Sequence, residues 1–400
     1  MLRVISALAA LLIGLAGLAG GAHAEPYRPA RDDQVLERLP PALTANRSEL
    51  RKLQQARSSA DTDLERALTL ADFYIKVGRG EADPRLYSYA EGVLRRWSDT
   101  PDPPASVLLR RATIRQFRHD FDGALDDLNA LVARGQVDPQ VWLLKASVLR
   151  IQGRYAAAMD SCAHLTAYVD QLVVLTCAAE IQSLGADSRA ALADLTGAVE
   201  ARSLGPVDGP SSNVLAWSEL VLAGIAEREG ASAAAEKWYR ATLALTPDDA
   251  RALAAYADFL LDQQHPADAR RLLEPHQNSD GLLLRLALAE ARSPSGASPP
   301  LVPMLQSRFD AARARGDRPH LGDEARFELV LRRRPDVAFR YARENWRLLR
   351  EPRDALILAQ SALASGDPGA AKVALGQLSG HDVNDRRLVA LRARLMERAS

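Results

Sequence analysis

Apolar residues recur along most of this chain at helical spacing, and they never alternate in runs of strand type. Leu64, Leu68, Ala71 and Ile75 fall on one helix face and Tyr89, Val93 and Trp97 on a partner helix, with Gly78 and Gly80 breaking the two apart. The same rhythm predicts hairpins of two helices from Ala105 to about Ala133, from Val141 to about Tyr168, from Leu172 to about Ala201, from Asn213 to Thr246 and from Pro247 to about His276. Small residues mark fixed points within them. Ala112 to Ala146, Ala124 to Ala158 and Ala223 to Ala257 are each steps of 34 residues, and within a unit one small residue follows another after 12 positions. A period of that length predicts an array of stacked helical hairpins, each packing only on its neighbours. The expected fold is therefore all-α, a right-handed superhelical solenoid of antiparallel helix hairpins.

Beyond His276 the pattern loosens. Leu282–Ala291, Leu301–Arg315, Asp323–Leu331 and Val337–Leu349 read as helices of irregular spacing, and Ser293–Pro300 as a loop. The motif returns with Ala359, Ala362, Gly366, Ala371 and Leu375, and Asp382–Arg398 reads as a terminal helix whose Arg and Asp residues give the array a polar cap. Ser203–Ser212, with two prolines and two glycines, reads as an inserted loop. The organisation expected is a signal peptide over 1–24, a flexible lead-in over 25–47, repeats over 48–276, irregular helical hairpins over 277–353, and a last repeat with its capping helix over 354–400.

Composition narrows the class. Hydrophobic residues make up 47% of the chain but aromatics only 5%, so the apolar content is mostly Ala and Leu, which favours close helix contacts. The formal charge is zero, and nothing global favours nucleic acid. Arg3, the apolar run from Val4 to Ala19 and the Ala22-His23-Ala24 site read as a secretory leader cleaved after Ala24. No Cys stands at the cleavage point for a lipid anchor, and the mature chain is expected in the periplasm. The repeat register puts Cys162 on the second helix of one hairpin and Cys177 on the first helix of the next, which are neighbours. Two readings stand: a disulfide closing a short loop, or two buried apolar thiols.

Leu220, Ala223, Ala226, Gly230, Ala235, Tyr239 and Pro247, and again Trp142, Ala146, Leu149, Gly153, Tyr155 and Ala158, occupy the places of the tetratricopeptide repeat. The chain resembles that family over residues 64–275 and 354–378, and only loosely over 280–350. The resemblance implies protein partners contacted by the inner faces of the first helices, where Phe117, Arg150, Ile151, Arg228, Asp258 and Asp262 stand. The family's carboxylate-clamp subgroup uses Lys and Asn on that face. This chain has Leu109 and Thr113, Leu143 and Ser147, Leu220 and Gly224 there, which argues against that mode.

Catalytic and cofactor motifs are absent from the sequence: no His-Glu-x-x-His, no Gly-x-Ser-x-Gly, no phosphate-cradling Gly loop and no Cys-x-x-Cys. No cofactor or metal is expected. One charge feature stands out. Arg340, Arg343, Arg347 and Arg350 share a helix face, either as a contact for an anionic lipid, glycan or protein, or as a solvated face on which Glu344 and Glu351 pair with Arg340 and Arg347. The leading expectation is a non-catalytic scaffold for one or more cell-envelope proteins. The alternatives are an accessory subunit of a polysaccharide or secretion export machine that contacts an anionic polymer or lipid, and a hydrolase with its site in 280–350.

Overall fold

The structure, a computed structural model, describes residues 47–58, 63–136, 138–203, 209–293, 301–314, 321–380 and 383–400. The leader and lead-in expected before residue 47 lie outside the described residues, as does Asp382.

Helices follow one another in pairs. They are α1 (Arg47–Ser58), α2 (Leu64–Glu81) and α3 (Arg85–Ser98), α4 (Ala105–Phe117) and α5 (Phe121–Ala133), α6 (Pro139–Ile151) and α7 (Tyr155–Ala163), α8 (Gln171–Gln182) and α9 (Ser188–Ser203), and α10 (Gly209–Glu229) and α11 (Ser232–Leu245). Then come α12 (Ala250–Asp262) and α13 (Pro266–Leu273), α14 (Asp280–Ala291) and α15 (Leu301–Ala314), α16 (Leu321–Arg326), which a π turn over Phe327–Leu331 extends, α17 (Pro335–Leu348), α18 (Pro352–Ser365), α19 (Pro368–Leu378) and α20 (Arg386–Ala399). Among the described residues there is no strand, and no helix is long and apolar enough to cross a membrane. The helices of each pair pack together, and each first helix from α2 to α12 also packs on the next first helix.

The small residues sit where the helices cross. Ala112, Ala124, Ala158, Ala223, Ala235, Ala257 and Ala269 have no exposed surface, and Ala146 is 3% exposed. A larger side chain at any of them would push two helices apart. The first helices also end alike. His119, Gly153, Gly230 and Gln264 take left-handed backbone at the same repeat position. The next amide bonds back five residues in each case: Asp120 to Arg115 (2.9 Å), and Arg154 to Leu149, Ala231 to Ala226 and His265 to Leu260 (2.8 Å each). This Schellman closure satisfies helix-end carbonyls and turns the chain into the second helix. Asp138, Asp170 and Asp249 cap the starts of α6, α8 and α12 by accepting from backbone N–H groups.

One expectation about the chain path is corrected. Residues 209–212 belong to α10 rather than to a loop, because Pro210 falls in the first helical turn, where a missing N–H costs nothing. The terminal helix α20 presents Arg386, Arg394 and Arg398 on its exposed side, but also Val389 (63% exposed) and Met396 (56%). Cys162 and Cys177 form a disulfide with their Cα atoms 5.7 Å apart.

The C-terminal helices build a core of their own, with Trp346, Leu358, Ala371, Leu388 and Leu395 among its residues. That core also takes in Leu184, from the turn between α8 and α9, and Tyr155 packs against it. Helix α20 packs on α18 and α19 and touches α10. The array therefore folds back, laying its last helices against the first helices of its middle units.

Candidate functional site

The inner positions of α10 and α12 carry acids. Glu227 lies near the end of α10, and Asp258 and Asp262 lie one turn apart on α12, so both face the same way. Arginines from four later elements close on them. Asp258 Oδ1 accepts from Arg326 Nη2 at 2.7 Å, and its Oδ2 lies 2.9 Å from Arg285 Nη2 and 3.7 Å from Arg353 Nη1. Glu227 Oε1 accepts from Arg353 Nη2 at 2.8 Å and also from Arg387, while its Oε2 accepts the Tyr239 hydroxyl at 2.6 Å. Asp262 Oδ2 accepts from Arg387 at 2.9 Å and lies 3.5 Å from Arg353. Asp323 adds a contact to Arg285 at 3.3 Å, and Asp385 holds Arg387 at 2.6 Å.

The centre of this cluster is buried, with Asp258 1% exposed, while Asp262, Arg353 and Arg387 lie at its partly exposed edge. Burial alone would push its carboxyl up, but Arg285, Arg326 and Arg353 outweigh that and hold it well below the usual carboxylate range. Burial likewise works against the charge of Arg353, while Glu227, Asp258 and Asp262 hold its guanidinium well above its usual value. The charges thus neutralise one another around the buried Asp258.

A second contact lies on α6. Arg150 Nη1 donates to Glu351 Oε1 at 2.7 Å, and Nη2 lies 3.4 Å from Glu180. Beside it the Arg350 amide donates to the Ile151 carbonyl at 2.8 Å. Arg228 Nη2 donates to Ser183 Oγ at 2.7 Å. The Asn384 amide donates to the Leu184 carbonyl at 3.0 Å, and its side-chain amide donates to Glu229 at 2.5 Å.

The positions assigned to partner contact thus have the following surroundings. Arg150, Ile151, Asp258 and Asp262 are engaged by the chain's own C-terminal third. Phe117 stacks on Tyr87 with ring centroids 4.4 Å apart, and Arg79 lies 5.6 Å from its ring, so it packs between helices. Arg340 and Arg347 are exposed, and Arg343 is half-buried over the Phe339 ring. Glu351 pairs with Arg150 and not with Arg347, because α17 ends at Leu348 and Leu349 is extended, which removes the helical register between them. Among the described residues Glu344 makes no ion pair with Arg340. Sequence reasoning passed over Glu227, Arg285, Arg326, Arg353 and Arg387. One local signal was present: Asp258 stands within the otherwise apolar run from Tyr256 to Leu261, and an acid so placed needs a cation from elsewhere. Among the described residues no cluster of His, Cys, Asp and Glu is arranged to hold a metal.

No family model matches the chain, and no curated protein matches it. Among solved structures the chain is similar to a tetratricopeptide repeat protein from Parabacteroides merdae ATCC 43184, at 11% identity and a TM-score of 0.36, over 74% of this chain and 98% of that one.

Proposed function

We propose that this chain is a non-catalytic interaction scaffold of the bacterial cell envelope, exported to the periplasm after cleavage behind Ala24, where it binds one or more envelope proteins. The observation that carries this reading is the stack of helix pairs with buried alanines at the crossings, a construction that creates extended surface. The Cys162–Cys177 disulfide fits an oxidising compartment. Because the C-terminal helices engage the inner positions of α6 and α12, partners dock on surfaces those helices leave uncovered. The test is to sequence the mature N-terminus from fractionated cells and to identify proteins cross-linked to the chain in intact envelopes. An N-terminus at Glu25 and a reproducible envelope partner support the reading; an unprocessed cytosolic chain contradicts it.

A second reading is contact with an anionic polymer or lipid through α17. It is favoured by Arg340, Arg343 and Arg347 lying on one helix face with no carboxylate ion pair among the described residues. Binding to anionic vesicles that survives neutralisation of all three arginines would remove it.

A further inference from the structure

Helix α20 has two unlike faces. Leu388 and Leu395, two turns apart, are buried in the C-terminal core, and Leu391 packs beside them. Arg386, Ala390, Ala393 and Glu397 lie on the opposite side, in one line along the helix, and all four are exposed. Val389 and Met396 flank that line on one edge and Arg394 on the other. Among the described residues, Val389 and Met396 are the most exposed of the large apolar side chains. Two such side chains on one edge of one helix mark a contact surface.

Their neighbours indicate what that surface fits. The line Arg386, Ala390, Ala393, Glu397 is complementary to its own reverse. Turned end for end, it sets a small residue on a small residue and a cation on an anion. An antiparallel second copy of α20 meets it in that register, with Arg386 opposite Glu397 of the second copy at both ends. Ala390 then lies opposite Ala393 at the crossing, where small side chains let two helices approach closely. A twofold axis keeps each flank on its own side. Val389 of one copy therefore falls beside Met396 of the other, level to within about 3 Å by the helical rise. The end charges are available for this contact. Among the described residues neither Glu397 nor Arg386 makes an ion pair, and Arg386 donates to the Glu229 carbonyl at 3.3 Å. A lipid surface would suit the apolar pair but not the acid at the end of the line.

We propose that α20 pairs with α20 of a second copy of this chain, antiparallel about a twofold axis that passes between Ala390 and Ala393. A single helix of 14 residues is a small contact, so the dimer is weak and concentration-dependent. Two arrays joined this way would hold a partner with paired epitopes more tightly than either alone. The pairing does not depend on whether the chain binds an envelope protein.

Sedimentation velocity of the chain as isolated from cells, over a wide range of protein concentration, tests it. A monomer–dimer equilibrium is expected. Ala393→Arg, at an exposed position away from the core, should weaken it about tenfold or more. Glu397→Arg and Arg386→Glu should each weaken it several-fold by setting like charges opposite one another. An equimolar mixture of those two variants should associate again, because each meets the opposite charge on the other. A chain that stays monomeric at every concentration, a dimer that Ala393→Arg leaves intact, or a mixture that fails to associate overturns the proposal. A monomer that binds neutral lipid vesicles through Met396 also overturns it and gives the face to a membrane.

Discussion

Arg353 donates to Glu227 at 2.8 Å across 126 residues of chain, and the carboxylate it reaches is buried. In a simple stack each hairpin meets only its neighbours. Here an arginine at the start of α18 reaches the end of α10, and Arg387 on α20 joins it on the same carboxylate. The C-terminal helices are thereby tied to the middle of the array, which should unfold with them rather than separately.

Asp258 gathers three arginines, so replacing it leaves buried positive charge without a partner. Asp258→Asn should destabilise the chain by about 3–5 kcal/mol, the usual cost of breaking a buried pair from one side. Because its carboxyl is held well below the usual carboxylate range, its contribution is fully present above that range and is lost as pH falls toward the folded value. Denaturant unfolding at pH 7 and at pH 3 checks both statements: the gap between wild type and variant should narrow at the lower pH.

Glu219 behaves in the opposite sense. It lies on α10, is 5% exposed, and its Oε2 has no partner. Burial pushes its carboxyl up to about 7. The folded state therefore holds this proton more tightly than the unfolded chain, and stability falls as pH rises from the ordinary glutamate value to about 7. Glu219→Gln should unfold later than wild type at pH 8, by more than about 1 kcal/mol, and lose that advantage at pH 4.5. Melting curves across this range measure the difference.

The disulfide joins residues 15 positions apart. In the chain-entropy account a loop of that length contributes about 3 kcal/mol. A Cys162→Ala, Cys177→Ala double variant should unfold at correspondingly lower denaturant, and adding reductant should lower the wild-type midpoint without moving that of the double variant.

At the ends of the first helices, His119 and Gln264 hold the left-handed backbone that Gly153 and Gly230 hold in the equivalent units. A Cβ is disfavoured there. His119→Gly and Gln264→Gly should each stabilise the chain by about 0.5–1 kcal/mol, which equilibrium unfolding would resolve. A loss of stability would show that those side chains contribute more than the backbone strain costs.

These cases separate what was legible in the sequence from what was not. Ala223, Ala257 and their counterparts could be read because a crossing contact is a local requirement repeated at fixed spacing, and no distant residue is needed to recognise it. The pairing of Arg353 or Arg387 could not be read that way. Each stands at a helix start with acids nearby in sequence, Asp354 and Asp385, so each looks like an ordinary exposed terminus. Their partners on α10 and α12 become neighbours only once the array folds back. Glu351 was misassigned for a related reason: spacing of four from Arg347 implies pairing only if the helix continues, and it stops at Leu348. Among the inner-face positions, Asp258 is legible as an acid in an apolar run, but its arginine partners are not, because they come from helices distant in sequence.

The fold-back is the central claim, and a double-mutant cycle on Glu227 and Arg353 tests it most directly. Glu227→Gln, Arg353→Met and the double variant are compared with wild type by equilibrium unfolding. The contact predicts that the single losses fail to add, with a coupling of about 1–3 kcal/mol. Losses that add to within about 0.5 kcal/mol would place the two residues apart and contradict the docking of the C-terminal helices on the inner face.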